Sequence, residues 1–518
     1  MDIGYRIRVL RFIIMLAKIL SGVTIGLEGV AIIVEVDVAS RGFPHFTIVG
    51  LPAKSVDESK ERVRTAIHNA SFDMPDSRLT VNLAPADIPK DTSGLDLPIA
   101  VGILAACGYV DKNECENALF IGELSLEGMI RPVPGVISIT QLAKRLRKEV
   151  IYASSESVDE ALLIDDIIVY GVPTLSSLIL HLNGNVHLQE SVRSKNSTPI
   201  TEYENDFSEI KGQHVAKRAL EIASCGFHNI HLKGPPGAGK TLLSRAFVSI
   251  LPELTKEEVL EITAIHSVAG LLHKHTLAQT RPFRSPHHTT SRIGLIGGGA
   301  NPKPGEISLA HRGVLFLDEF SEFPRHVIEA LRQPLEDGSV IISRASGSVE
   351  YPSRFILIAA SNPCPCGYLG HPKRVCKCMP GAVMKYRKRL SGPIIDRIDL
   401  HIDVPPVTED QLLEEANAER SETIRRRIDR ARILQRRRFA GTKIYSNSEM
   451  RPSDIKKLCT ISEEGTALLK QAIMKLSLSA RTYFKVIKLS QTIADLEGSP
   501  TISTTHISEA LQYRPRDE

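Results

Sequence analysis

The chain has 518 residues, 42% of them apolar and 24% charged, which predicts about three or four globular domains and excludes a largely disordered protein. A formal net charge of +4 is too small to argue nucleic-acid binding by itself, so local clusters must carry any such case. Eight cysteines, no convincing secretory pattern and no apolar run of about 18 residues read as a cytoplasmic protein with reduced thiols and no membrane partner.

In chain order, Met1–Leu20 mixes Arg6, Arg8 and Arg11 with the apolar run Phe12–Ala17, which Lys18 interrupts. It reads as a disordered or helical extension, with residues 1–14 outside the first domain and Met15 as a plausible start. Residues 15–185 read as an α+β unit. Strands are expected at Val30–Val38, Phe46–Val49, Arg78–Leu83, Ala118–Ile121, Glu149–Ala153 and Ile167–Tyr170. Helices are expected at Ser55–Ser71, Leu97–Cys107 and Ser138–Lys148. The strings Val81–Asp87, Pro89–Ala100, Gly122–Leu124 and Gly128–Val133 resemble the domain shared by Lon proteases and the recombination ATPase RadA. In that resemblance the catalytic serine position falls on Gly94 and the lysine position on Ile137, so the dyad is missing and no activated nucleophile is expected. Ser93 lies beside the serine position without a recognisable base. Ring assembly or DNA contact is then the expected use of this domain. The polar stretch 186–207 reads as a linker.

The stretch Gly234-Pro235-Pro236-Gly237-Ala238-Gly239-Lys240-Thr241 has the P-loop form G-x-x-x-x-G-K-[ST]. An apolar strand, Ile230–Leu232, precedes it and a helix, Leu242–Leu251, follows. Its glycines let backbone N–H groups close around the phosphates of ATP; Lys240 would reach the β/γ-phosphates and Thr241 would hold Mg²⁺. Gly313–Glu319 reads as a buried strand ending in two acids. Asp318 would orient Mg²⁺ and Glu319 would polarise the attacking water. A strand over Ser353–Ala360 ends at Asn362, read as the sensor of the γ-phosphate. Arg397, with Arg389 in reserve, would reach a neighbouring subunit's nucleotide. Arg481, near the start of the expected helix Ser477–Glu497, would point back to the nucleotide as a second sensor.

Three features stay open. The insertion holding Arg281, Arg284, His287, His288 and Arg292 reads either as a polyanion-touching loop or as a packed structural one; the adjacent histidines are poorly spaced for a shared metal. Cys364, Cys366, Cys376 and Cys378 form C-x-C-x₉-C-x-C, close to structural zinc patterns, so Zn²⁺ or reduced structural thiols are expected there. Nine arginines between Glu419 and Arg438 read as a solvated helix face, or as a DNA or subunit contact.

Together these residues resemble the magnesium-chelatase-like AAA+ ATPases of the YifB/ComM group, from about Met15 to the C-terminus. The most specific strings are Arg284–His288, Pro304–Gly313 and Asn362–Gly367. Ser361 departs from the pattern, where a bulkier Met is expected. The resemblance implies an α/β chain with a Lon/RadA-like α+β N-terminal domain, an AAA+ P-loop core with a parallel sheet over 208–406, and a helical C-terminal lid over 407–518. It also implies a homo-oligomer, as a hexameric ring, and for ComM members ATP-driven branch migration of DNA in recombination or natural transformation. A chelatase-type motor driving metal insertion with partner subunits, and a protein-remodelling ATPase, are the alternatives.

Overall fold

The computed structural model describes residues 16–39, 43–51, 54–193, 203–272, 280–299, 302–344, 347–390, 392–408 and 419–515. The expectation for Met1–Ile14 lies outside them. The chain divides into two compact units, residues 1–199 with 259–278, and residues 200–258 with 279–518. It is an α/β protein with a five-stranded parallel sheet and a helical C-terminal region.

The first unit opens on strands β1 (Leu16–Ile25), β2 (Glu28–Val38), β3 (His45–Val49) and β4 (Arg78–Ala84), in sheet order β1-β2-β4-β3. Leu16–Leu20 is therefore strand rather than extension. Ala17, Ile19 and Ser21 are buried while Leu16 and Lys18 are exposed, a period of two that the neighbouring arginines obscure in the sequence. The helix Asp96–Ala106 is apolar on all sides and wholly buried. It lies so close to β2 that a Cβ on Gly102 would stand 2.7 Å from Val36 Cγ2. Strands β5 (Ala118–Phe120), β6 (Val150–Ser154) and β7 (Ile168–Val172) form a second, parallel sheet. The helix Leu175–Leu182 escapes a sequence reading, although Thr174 and Ser177 make a reciprocal cap at its start.

Two polar clusters hold this unit. Asp96, fully buried, accepts from Arg62 Nε at 2.7 Å and from the Leu124 N–H at 3.3 Å. Burial raises its carboxyl, and the bond to Arg62 opposes that rise. Near it, the Ser93 hydroxyl donates to Glu123, and Gly94 is buried where a Cβ would stand 3.0 Å from Ile121 Cδ1. The second cluster ties in the described residues 259–272, which the sequence gives no hint of belonging here. The helix Lys256–Val268 brings Ser267 to Glu160, whose Oε1 accepts from the Ser267 hydroxyl and from the Ile137 N–H at 2.7 Å. Ile137, Leu163, Ile164 and Ala264 close a small apolar cluster around it.

The second unit is built on β8 (Ile230–Lys233), β9 (Phe283–Arg284), β10 (Val314–Leu317), β11 (Ile356–Ser361) and β12 (Leu400–Asp403). Their order is β9-β10-β11-β8-β12 and every pair is parallel. The runs are almost continuously apolar because both faces are covered, as parallel strands require. The helices His214–Gly226, Ser421–Arg438 and Ala480–Glu497 share one core with the sheet through residues such as Ile222, Ile428, Ile487 and Ile493. After β10 come two short helices, Arg325–Glu329 and Arg332–Asp337, and then an antiparallel hairpin, Ser339–Arg344 with Gly347–Pro352. Among the described residues no helix is long and apolar enough to cross a membrane.

Burial raises the Glu160 carboxyl from 4.5 to about 6, against the lowering effect of its two donors. Between these values the folded chain binds more protons than the unfolded one, so stability falls as pH rises through that window, by at most about 2 kcal/mol. Glu160→Gln keeps the acceptor and removes the titration. Urea unfolding at a series of pH values is expected to show a higher neutral-pH midpoint and no such decline in the variant.

Candidate nucleotide site and the cysteine loop

The carboxyl ends of β8, β10 and β11 lie side by side, and each carries one part of the site. After β8 the chain turns at Gly234, where a Cβ would stand 2.2 Å from the Val404 carbonyl oxygen just past β12. Gly237 and Gly239 take left-handed backbone, φ +78° and +87°, with open space where a side chain would project. Ala238 is buried, and its carbonyl accepts from Gln213 Nε2 at 3.3 Å. The helix Lys240–Ala246 starts directly from Gly239 and runs on as the 3₁₀ turn Phe247–Ile250, shorter as α-helix than its sequence suggests.

Lys240 is only 8% exposed. Its ammonium donates to the carbonyls of Gly234 at 2.7 Å and Pro235 at 2.9 Å, and to Asn362 Oδ1 at 3.1 Å. Burial holds its pKa below the ordinary lysine range, and the charge of Asp318 opposes that shift. The Thr241 hydroxyl donates to Asp318 Oδ2 at 2.9 Å, and the Glu319 N–H donates to Asp318 Oδ1 at 2.8 Å. Thus Lys240, Thr241, Asp318 and Asn362 meet around one point. Glu319 adjoins them on a left-handed backbone, φ +50°, uncommon for a side chain of its size. A residue the sequence does not single out for this role faces it: His288 Nδ1 lies 3.2 Å from Glu319 Oε2. The P-loop glycines leave a cradle free of side chains, and a hydroxyl and a carboxylate converge beside it. That donor set fits a triphosphate with a hard divalent cation.

The insertion before β10 is packed rather than available to a polyanion at two of its arginines. Arg281 is buried, donating to Glu258 at 3.0 and 2.8 Å and to the carbonyls of Pro252 and Arg312, both at 2.7 Å. Arg284 forms a two-pronged pair with Glu306 at 2.6 and 2.7 Å. Arg292 is exposed. The rings of His287 and His288 lie 4.1 Å apart but take separate partners, Thr289 and Glu319.

Arg397 and Arg481 come together from distant parts of the chain. Both reach Glu336, Arg397 by a short ion pair and Arg481 at 3.5 Å, and Arg397 also donates to the Pro393 carbonyl at 2.6 Å. Asp396 and Asp399 lie close to Arg397 in the sequence. Asp399 is instead engaged by the Asn229 N–H at 3.1 Å and His228 at 3.6 Å. Arg389 pairs with Glu322 at 2.8 Å. In the helix Ser421–Arg438 part of the arginine run turns inward: Arg427 bonds Glu221 at 2.7 Å, Arg432 bonds Gln435 at 2.8 Å, and Arg438 is paired with Asp495. Arg420, Arg426, Arg430, Arg436 and Arg437 stay exposed, so the run is a solvated face only in part.

Beyond Asn362, the Sγ atoms of Cys364, Cys366, Cys376 and Cys378 all lie within 4.8 Å of one another. Three of the separations are 3.4, 3.7 and 3.6 Å. A disulfide needs about 2.05 Å. A tetrahedron with Zn–S bonds of about 2.3 Å has edges of about 3.8 Å. The cluster has the dimensions of four thiolates around one thiophilic ion.

Three family profiles match the chain: "Magnesium chelatase, subunit ChlI" over residues 206–412, "Subunit ChlI of Mg-chelatase" over 34–156, and "Magnesium chelatase, subunit ChlI C-terminal" over 418–514. The chain is 42% identical to Competence protein ComM of Haemophilus influenzae, across 96% of this chain and 97% of that protein. It is 39% identical to Uncharacterized protein YifB of Escherichia coli, across 95% of this chain and 96% of that one. To the magnesium-chelatase 38 kDa subunit of Rhodobacter capsulatus it is 25% identical, over 34% of this chain and 54% of that subunit. With near full-length likeness to the first two and a P-loop fold that suits all three, the chain belongs to the ComM/YifB family of magnesium-chelatase-like AAA+ proteins.

Proposed function

We propose that the protein is a cytoplasmic, ATP-hydrolysing ring motor acting on DNA, a branch-migration helicase in recombination or natural transformation. The observation that carries the ATPase reading is the meeting of Lys240, Thr241, Asp318 and Asn362 at the carboxyl ends of adjacent parallel strands, the edge where open α/β sheets bind ligands. Bound ATP with Mg²⁺ supplies the phosphoanhydride bond and the counter-charge for its cleavage. Lys240 exchanges its two carbonyl acceptors for phosphate oxygens, while Thr241 and Asp318 hold the metal. Glu319 orients the attacking water and accepts its proton, with His288 fixing the carboxylate. Asn362, already bonded to Lys240, follows the γ-phosphate. Arg397 serves a neighbouring subunit's nucleotide in a homohexamer, and Arg481 serves the nucleotide of its own chain. The competence role in the name of the Haemophilus relative supports the DNA half of the proposal. The ChlI profiles favour a chelatase-type motor as the second reading.

Lys240→Ala is expected to lose ATP binding and at least about a hundredfold in hydrolysis, whereas Arg397→Ala should retain ATP binding and lose a comparable factor in kcat. Nucleotide-binding and steady-state phosphate-release assays separate the two. Turnover at the unaltered rate by either variant would place the engine elsewhere.

A synthetic four-way DNA junction is expected to raise ATP turnover and to be resolved into two duplexes. Porphyrin with Mg²⁺ and candidate partner subunits should leave turnover unchanged. Stimulation by that mixture and not by the junction would favour the chelatase reading.

The four cysteines are assigned to a structural Zn²⁺, since four thiolates leave no open position for water. Elemental analysis of freshly reduced protein should find about one zinc per chain, and none would remove the assignment.

A further inference from the structure

The cysteine loop has a charge pattern that the nucleotide site does not use. Between Pro363 and Ile395 the sequence holds seven Lys or Arg and no Asp or Glu. The chain as a whole is nearly balanced, at +4, whereas the ionisable Lys, Arg, Asp and Glu of this loop and the helix after it are all basic. Lys373, Arg374 and Lys377 are exposed on the loop, and Lys385 and Lys388 on the following helix. Among them stand exposed apolar side chains: Val375 is 86% exposed, Met379 79% and Met384 57%. Tyr368 is half-buried and carries the Arg374 guanidinium 5.0 Å from its ring, while Arg374 also donates to its hydroxyl at 2.7 Å. The Tyr368 ring suits stacking by a nucleobase, and the Arg374 guanidinium with the lysines around it suits a phosphate backbone.

The loop is also joined to the nucleotide site. Cys364 is buried two residues after Asn362. Gly367, at φ +80°, rests on the P-loop so closely that a Cβ there would stand 2.5 Å from Pro236 Cδ.

We infer that residues 363–389 form a metal-stapled knuckle that grips nucleic acid, through the phosphates by Lys373, Arg374 and Lys377 and through an unstacked base by Tyr368, at a point that bears directly on the P-loop. The inference rests on the reading of the protein as a DNA motor. It adds where the DNA is held and why a folded metal loop sits against the ATP site. Four thiolates around one ion fix the loop's shape, so the basic side chains are presented without the cost of ordering a free loop.

The test uses the full chain and a fluorescein-labelled synthetic four-way DNA junction, with Kd measured over a series of salt concentrations. The unaltered protein is expected to bind with a steep salt slope. The triple variant Lys373→Gln, Arg374→Gln, Lys377→Gln should bind at least about tenfold more weakly, with a slope shallower by about 2 to 3, one phosphate contact per cation removed. A variant that merely misfolds would also lose its metal and its thermal midpoint. Zinc content and Tm are therefore read on the same preparation, and the pair Lys385→Gln, Lys388→Gln gives a second, helix-borne measurement of the same slope. Unchanged affinity and slope in a triple variant that keeps its zinc would overturn the inference while leaving the motor intact, and would give the patch to a protein partner. Failure of the unaltered protein to bind the junction at low salt would overturn the motor reading and the knuckle together.

Discussion

The bond between the Lys240 ammonium and Asn362 is the contact on which the second unit's arrangement turns. A lysine buried to this degree must have its three donors met, or the cost of desolvating the charge falls on the fold. Two acceptors come from the P-loop's own backbone, and the third comes from the far end of a different strand. That third acceptor exists only because β11 lies beside β8 in parallel register, with Leu232 opposite Ala360 and Lys233 opposite Ser361. The same sheet order sets β10 on the other side of β11, so that Asp318 arrives within reach of Thr241. Sheet order, burial and the polar site are thus one constraint seen at three levels.

Much of this was legible from residues alone because it is local. A P-loop needs its glycines, lysine and hydroxyl within eight positions, and an apolar run that ends in two acids announces a buried strand with a polar tip. The partners of the arginines were not legible, because ion pairs join residues from anywhere in the chain. Arg281 looks like a polyanion contact until Glu258 and the Arg312 carbonyl are found around it. Glu336, which collects both Arg397 and Arg481, carries no signal of its own in the sequence. His288 shares that fate, since only the left-handed turn at Glu319 brings the carboxylate to it. The strand β1 was hidden for a different reason, because its alternating pattern begins inside a stretch whose arginines suggest a disordered or helical extension.

In the first unit, the two positions that the Lon resemblance would give to a serine and a lysine carry neither a hydroxyl nor an amine. Gly94 and Ile137 are both buried, and the nearby hydroxyl of Ser93 is spent on Glu123 rather than on an amine. A buried amine of this unit, Lys90, donates to the carbonyls of Gly50 and Pro85. What the region retains is a packed core with two internal polar clusters, one on Asp96 and one on Glu160.

That last cluster has a bearing on how the protein is made. Glu160, Ile137 and Leu163 await Ser267 and Ala264, which lie about a hundred residues further along the chain. A ribosome that has released the first two hundred residues has therefore not yet delivered the piece that closes their interior, and by the time it does, β8 and the P-loop are already out. The two halves must mature in overlapping time rather than one after the other. A fragment cut at the apparent boundary near residue 200 would leave a carboxylate and several aliphatic side chains facing solvent where a helix belongs.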